Sequence, residues 1–218
     1  MAHSAFLRTF GKYWMKPLTL AALIAPFAWL AYLWTLMLTN IEPYSMGFDP
    51  VKWTHHYLGN TAIRILLVTL AISPIRDITG WAPIVVIRRR IGLAAFFYAA
   101  LHMLAYLGLD KEWSLAALWE DVVIRTYITL GMAALTLMIP LALTSTNGMI
   151  RRLGRKTWDR LHWLIYPLAI LAVSHDILMQ KTFQPTPWVH AGILALLLRW
   201  RIARWGVARL KPAEGAAG

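Results

Sequence analysis

The chain has 218 residues, 59% of them hydrophobic and 15% charged, with a mean hydropathy of +0.53. A water-soluble domain carries about 45–50% apolar and about 25% charged residues, so the composition points to a membrane protein. Cysteine is absent, which excludes disulfides, iron–sulfur clusters, zinc–thiolate sites, covalent haem attachment and thiol redox chemistry. The net charge of +12 would suggest nucleic acid in a soluble protein; in a membrane protein its meaning depends on which connections carry it.

A bilayer core about 30 Å thick takes about 20 apolar residues of helix. Segments near that length run over Leu18–Leu38, Tyr57–Ile72, Ile91–Leu109, Thr126–Leu143, Leu161–Leu178 and Trp188–Trp200. They predict an all-α integral membrane protein, a bundle of six transmembrane helices, with the second and sixth short. Pro17, Pro74, Pro140 and Pro187 are expected near helix ends. Pro26 and Pro167 interrupt helices, where neighbours must satisfy the freed carbonyls. The first apolar run shows no cleavage pattern and reads as a retained helix. The expected organisation is one domain: a cytoplasmic N-terminal segment (1–17), the helix bundle (18–200) and a basic cytoplasmic tail (201–218).

Orientation follows from the basic residues. The N-terminus holds Arg8, Lys12 and Lys16, and the second connection Arg76, Arg88, Arg89 and Arg90. The fourth holds Arg151, Arg152, Arg155, Lys156 and Arg160, and the C-terminus Arg199, Arg201, Arg204, Arg209 and Lys211. Against these seventeen, the other side carries Lys52, Lys111, Arg125 and Lys181. Both termini are therefore expected in the cytoplasm, and topology accounts for most of the positive charge without nucleic acid. Arg64 is the remaining basic residue and falls inside the second helix, where a lone guanidinium needs a partner, an aqueous crevice or room to snorkel.

Seven histidines are present: His3, His55, His56, His102, His162, His175 and His190. His3 lies in the tail, and His190 opens the sixth helix at the expected outer boundary. His102 sits in "AFFYAALHMLAYLGL", where an imidazole surrounded by hydrocarbon needs a partner or a function. Counted from the cytoplasmic entry of each helix, His102 is about 18 Å deep, His175 about 21 Å and His162 only about 1–2 Å. His102 and His175 thus reach one level in the outer half of the membrane, where two neutral imidazoles can ligate both faces of a haem iron. His162 and His175 differ by roughly 140° around a straight helix, and Pro167 lies between them as a site for a kink or an unwound turn.

The runs "RRRIGLAAFFYAALH", "TYITLG", "LTSTNGMIRRLGRKTWDRLHWLIY" and "SH", with "DPVKWTHHYLGNTAIRILL" at the second helix, carry a resemblance. The chain resembles the haem-binding membrane subunits of bacterial periplasmic methionine-sulfoxide reductase systems, the MsrQ/YedZ family. That family belongs to the ferric-reductase-like transmembrane superfamily, which includes the NADPH oxidases. The likeness runs from about Asp49 to Trp200. Its most specific element is L-G-x-x-x-W-x-x-L-H-x-x-x-Y.

The resemblance implies b-type haem held by histidines of the third and fifth helices: His102, His162 and His175. The expected arrangement is one haem on His102 and His175. His162 stays open as an alternative ligand, a ligand of a second haem or part of the electron-entry site. Relatives with two haems carry two histidines on each of these helices, but 13 or 14 residues before His102 stand Arg89 and Arg88. His56 matches the family too but is shallow for a ligand. Arg64 and Arg125 are candidates to pair with the haem propionates through bidentate hydrogen bonds. No G-x-G-x-x-G unit follows Trp200, so electrons are expected from membrane quinol, from a bound FMN that the resemblance implies, or from a cytoplasmic flavin reductase. Arg88–Arg90 and Arg151–Arg152 are candidates to face the FMN phosphate.

The resulting expectation is a haem b electron-transfer subunit of the bacterial inner membrane. It would serve a periplasmic molybdenum-cofactor methionine-sulfoxide reductase that repairs oxidised periplasmic proteins and itself performs the sulfoxide chemistry. Two alternatives stay open. One is a stand-alone ferric or cupric reductase served by the acidic outer residues Glu112, Glu120 and Asp121; the other is a non-redox transporter or scaffold.

Overall fold

The computed structural model describes residues 13–210, with side chains to residue 206. The expected cytoplasmic basic residues Arg8, Lys12 and Lys211, together with His3, lie outside those residues, and Arg209 falls where the backbone alone is described. The described chain is all-helical: α1 (Met15–Leu38), α2 (Pro50–Thr79), α3 (Val85–Ala105), α4 (Leu115–Ile124), α5 (Thr126–Leu143), α6 (Asn147–Leu153), α7 (Arg155–Leu161), α8 (Ile165–Leu178) and α9 (Pro185–Leu210). A 3₁₀ turn, Ala82–Ile84, leads into α3, a π-helical turn, Tyr106–Asp110, leaves it, and a second 3₁₀ turn, His162–Leu164, joins α7 to α8.

Among the described residues, five stretches are long and apolar enough to cross a membrane: Met15–Leu38, Pro50–Thr79, Ala82–Asp110, Thr126–Leu143 and Arg155–Leu178. The expected sixth span, within α9, is not among them. Its helix is 26 residues long, but Arg199, Arg201 and Arg204 break its apolar run. The second helix is far longer than its greasy stretch suggested. Asp49 caps its start by accepting the Lys52 N–H at 2.9 Å, Pro50 occupies its first turn, and the helix runs on through Pro74 to Gly80. Polar residues beyond each end of the apolar stretch (Lys52, Thr54, His55 and His56 before it, Ser73, Arg76 and Asp77 after it) lower the hydropathy there without interrupting the helical bonds. Pro74 and Pro140 lie inside helices, not at their ends.

Two helix pairs make the core. α2 packs along α3, and α5 along α8, with α9 leaning on α2 and α8 and α1 on α3. Ile63, Leu66 and Leu70 of α2 meet Ala95 of α3, Met138 and Leu141 of α5, and Leu168, Ala169 and Val173 of α8. The outward faces are equally greasy: Leu20, Ile24, Phe97, Leu104, Ile139, Ile170 and Leu196 are all exposed. Apolar side chains covering both the core and the periphery fit a protein whose surroundings are hydrocarbon.

α1 shows how a membrane helix absorbs proline. Pro26 has no N–H to give and crowds the preceding turn. The hydroxyl of buried Tyr98, on α3, enters the opened ladder: it accepts the Phe27 N–H at 3.0 Å and donates to the Leu23 carbonyl at 2.7 Å. Tyr57 of α2 donates to the Pro26 carbonyl at 3.0 Å. One broken helical bond is thereby converted into two tertiary ties that hold α1 on the bundle. Tyr98→Phe strands both main-chain groups in an apolar setting and is expected to destabilise the fold by about 1–3 kcal/mol, read as a lower thermal midpoint by circular dichroism in detergent.

Candidate functional site

The two helix pairs place one histidine each at their meeting line. His102 projects from α3 and His175 from α8, with ring centroids 6.2 Å apart and planes at 71°. Each ring rests on a glycine of the partner helix. A Cβ added to Gly59 of α2 would come within 3.3 Å of His102 Cε1, and one on Gly131 of α5 within 2.9 Å of His175 Nδ1. The second distance is inside contact range, so at Gly131 the ring occupies the space that any other side chain would take.

The nitrogens are held differently. His175 Nδ1–H donates to the Tyr127 carbonyl at 2.6 Å, which fixes the tautomer and leaves Nε2 with its lone pair. A backbone acceptor behind an imidazole is the usual outer support of a metal-binding histidine. His102 Nδ1 is enclosed and lacks a hydrogen bond of normal geometry, which is costly for a buried polar atom. Metal–imidazole bonds of roughly 2 Å on both faces of one iron would separate the ring centroids by about 6 Å. The observed spacing, the oriented His175 and the unsatisfied His102 therefore fit a bis-imidazole haem.

Around this pair stand His55, Tyr106, Asp110 and Tyr127, which sequence reasoning did not select, together with Arg125 and Asp121, which it did. His55 of α2 lies 5.9 Å from the His102 ring and the same distance from Tyr106, and its Nε2 pairs with Asp110. The π-helical turn immediately after α3 brings Tyr106 and Asp110 to these positions; such turns often mark functional sites. Above His175, Tyr127 accepts a hydrogen bond from Arg125 at 3.2 Å, and Arg125 Nε reaches Asp121 at 3.1 Å. Asp121 also takes Lys111 and the Tyr106 hydroxyl. A continuous polar network thus caps the two histidines on the side where α4 lies.

The remaining expected site residues fall elsewhere. His162, in the 3₁₀ turn, gives its Nδ1–H to the Trp158 carbonyl at 3.1 Å and stacks on the Trp158 ring at 3.8 Å. That turn sits just before Pro167, where the missing N–H and ring crowding loosen the helix, as expected for a proline between the two histidines. Arg88 is a charged neighbour of His162. Arg64 is not buried as the sequence suggested. With Val68 and Ile75 it forms the outward stripe of α2, and it opens on a groove with His190 in which neither His102 nor His175 takes part. His190 is no surface residue: it is 3% exposed, and its Nδ1–H is 2.9 Å from Asp176 Oδ2. A second cleft, of 480 Å³, is lined by Thr146, Gly148, Met149, Arg151 and Arg152, and the neighbouring Arg89 donates to Asn147. Among the described residues, no three or more His, Cys, Asp or Glu side chains are gathered to hold a metal ion by themselves.

Residues 58–173 match the family model for the ferric reductase like transmembrane component. That span takes in α2 from Leu58, α3, α5 and α8 as far as residue 173; His102, Gly59 and Gly131 lie within it, and His175 stands two residues beyond its end. Similar proteins include the protein-methionine-sulfoxide reductase heme-binding subunit MsrQ of Xanthomonas campestris pv. campestris strain 8004, 45% identical over 90% of this chain and 89% of that protein. The subunit of the same name from Rhodospirillum rubrum is 49% identical over 72% and 76%. That from Xanthomonas oryzae pv. oryzae strain MAFF 311018 is 44% identical over 93% and 92%. The chain belongs to the MsrQ family. MsrQ relatives match it across the bundle and beyond, so the histidine pair and its capping network lie within the shared architecture.

The capping network makes a pH prediction. Hydrogen bonds from Lys111 and Tyr106 hold the Asp121 carboxyl below its ordinary range, while Tyr127 and Asp121 push the Arg125 guanidinium up. A carboxyl depressed in the folded state adds stability above its unfolded pKa, and that stability is lost as pH falls through the folded value. Unfolding midpoints measured from neutral pH into the acid range should therefore fall in the native protein, with a shallower fall in Asp121→Asn, which starts from a lower midpoint at neutral pH.

Proposed function

We propose that this chain is the haem-binding electron-transfer subunit of a methionine-sulfoxide reductase system in the bacterial inner membrane, with His102 and His175 as the axial ligands of one haem b. The observation that carries the reading is the pair of rings 6.2 Å apart, one oriented by the Tyr127 carbonyl and each packed on a glycine. The MsrQ relatives are named as heme-binding subunits of that reductase, and this supports both the cofactor and the partner.

In this reading the bundle has six transmembrane helices, α9 being the sixth, with 18–200 as the membrane domain and 1–17 and 201–218 as cytoplasmic segments. The balance of basic residues supports cytoplasmic termini. The partner is a periplasmic molybdenum-dependent catalytic subunit that repairs oxidised periplasmic proteins, and electrons come from the quinone pool or a cytoplasmic flavin reductase. The cleft carrying Arg151 and Arg152 is the candidate site for an FMN phosphate. His162, next to Arg88, is the candidate for a second, inner redox site.

A haem with both axial positions filled by imidazole passes electrons and has no open position for substrate. The chain's own residues set the conditions for this. The Tyr127 carbonyl keeps the His175 lone pair on Nε2 and raises its basicity. Gly59 and Gly131 leave the rings room, and the apolar core of α2, α3, α5 and α8 excludes water from them. Arg125 stands two residues from Tyr127 and is the candidate for a haem propionate, sharing its guanidinium with Asp121.

The test is haem content, read as the pyridine haemochrome and the reduced-minus-oxidised spectrum of detergent-purified protein. His102→Ala and His175→Ala are expected to lose the low-spin haem, and His162→Ala to keep it. Gly131→Ala displaces His175 from its carbonyl and should weaken haem retention by about 10–100-fold. Gly92→Ala, whose added Cβ would meet only Thr69 at 3.5 Å, should leave it unchanged. Full haem content in both His102→Ala and His175→Ala would overturn the assignment.

A further inference from the structure

A groove of 470 Å³ lies between α2 and α9 and opens on the outward face of the bundle. Its size falls within the range of small-molecule sites, about 300–1,000 Å³. Most of its lining is apolar, with Leu67, Val68, Val189 and Ile193 prominent, and two groups break that pattern: Arg64 and His190. Among the described residues nothing pairs with the Arg64 guanidinium, an expensive condition for a cation on a membrane-spanning helix. His190 forms a buried pair with Asp176, their exposures being 3% and 6%. Because the carboxylate takes Nδ1–H, Nε2 is left as an acceptor. His56 is a neighbour of the same carboxylate, and Asp176 directly follows His175 in the chain.

These features define what would fit. The ligand must arrive through lipid, present an oxygen to the guanidinium, offer a hydroxyl proton to an imidazole backed by a carboxylate, and bury an apolar body. A hydroquinone head meets all four requirements. A phospholipid could also give its phosphate to Arg64 and a headgroup O–H or N–H to His190, so the test sets the two occupants against each other. We propose that this groove binds the head of a membrane quinol, with Arg64 donating to one ring oxygen and His190 Nε2 accepting from a ring hydroxyl. The proposal rests on the reading of the chain as an electron carrier served by the quinone pool. It assigns Arg64 to the donor, separate from the haem propionates.

The probe is a short-tailed ubiquinone analogue, titrated into haem-loaded, detergent-purified protein by equilibrium dialysis. Saturable binding is expected, weakened about tenfold or more in Arg64→Leu and His190→Gln through loss of one hydrogen bond to a charged or carboxylate-backed group. Val189→Trp fills the groove while leaving Arg64 and His190 in the chain and should give a similar loss, with the haem spectrum unchanged in it and in Arg64→Leu. Unchanged affinity in Arg64→Leu and Val189→Trp would overturn the proposal. So would complete displacement of the analogue by phosphatidylglycerol at equal concentration, which would assign the groove to a lipid headgroup. The two readings fail separately. Haem without saturable quinone binding removes the groove and leaves the electron carrier, whereas quinone binding sensitive to these substitutions in a protein that takes up no haem does the reverse.

Discussion

An imidazole placed in hydrocarbon has no water to satisfy it. Its N–H must go to a protein acceptor, and its lone pair must face a group that can use it. This constraint organises the bundle around His102 and His175. α5 supplies the carbonyl of Tyr127 for one ring, and glycines on α2 and α5 let both rings approach without a clash. The same demand is met elsewhere by other means: Tyr98 repairs the break at Pro26 in α1, and Asp176 takes the N–H of His190. Several polar groups inside this bundle are paired across helices, His102 Nδ1 being an exception, so tertiary structure and the satisfaction of buried hydrogen bonds are closely linked.

That pairing also separates the molecule into regions with distinct chemistry. The histidine pair is capped by a network of Asp121, Arg125, Lys111, Tyr106 and Tyr127 that reaches solvent-accessible side chains within a few residues. At the opposite end of α8, the 3₁₀ turn at His162 is surrounded by arginines and tryptophans, among them Trp163 stacked on Trp205 at 4.6 Å. The bundle thus has a polar cluster at each end of α8 and an apolar core between them.

Much of this was legible in the chain. Thr126–Leu143 has the bounds its apolar run gives it. Counting residues from the basic ends of two helices was enough to bring His102 and His175 to one depth, because helical rise is constant whatever the packing. Pro167 announced the loosened turn beside His162. The failures share a cause. Hydropathy averages over a window, so the polar ends of α2 hid about half its length, and the arginines of α9 hid its extent. Contacts between distant residues leave no local trace: nothing near Gly131 signals a ring from position 175, and His190 looked like a boundary residue because its partner lies fourteen residues away. Arg64 was misread for lack of phase information, since the buried stripe of α2 runs through Ile63, Leu67 and Leu70 and leaves position 64 outside it.

The central claim is that two protein nitrogens close both faces of one iron. Carbon monoxide tests it directly, because it binds reduced haem only where an axial position is open or readily vacated. Dithionite-reduced, haem-loaded protein exposed to carbon monoxide should keep its visible spectrum unchanged, while any haem still retained by His175→Ala or His102→Ala should shift. A full carbon monoxide shift in the native protein would contradict bis-histidine ligation, and with it the account given of why His102 and His175 meet where they do.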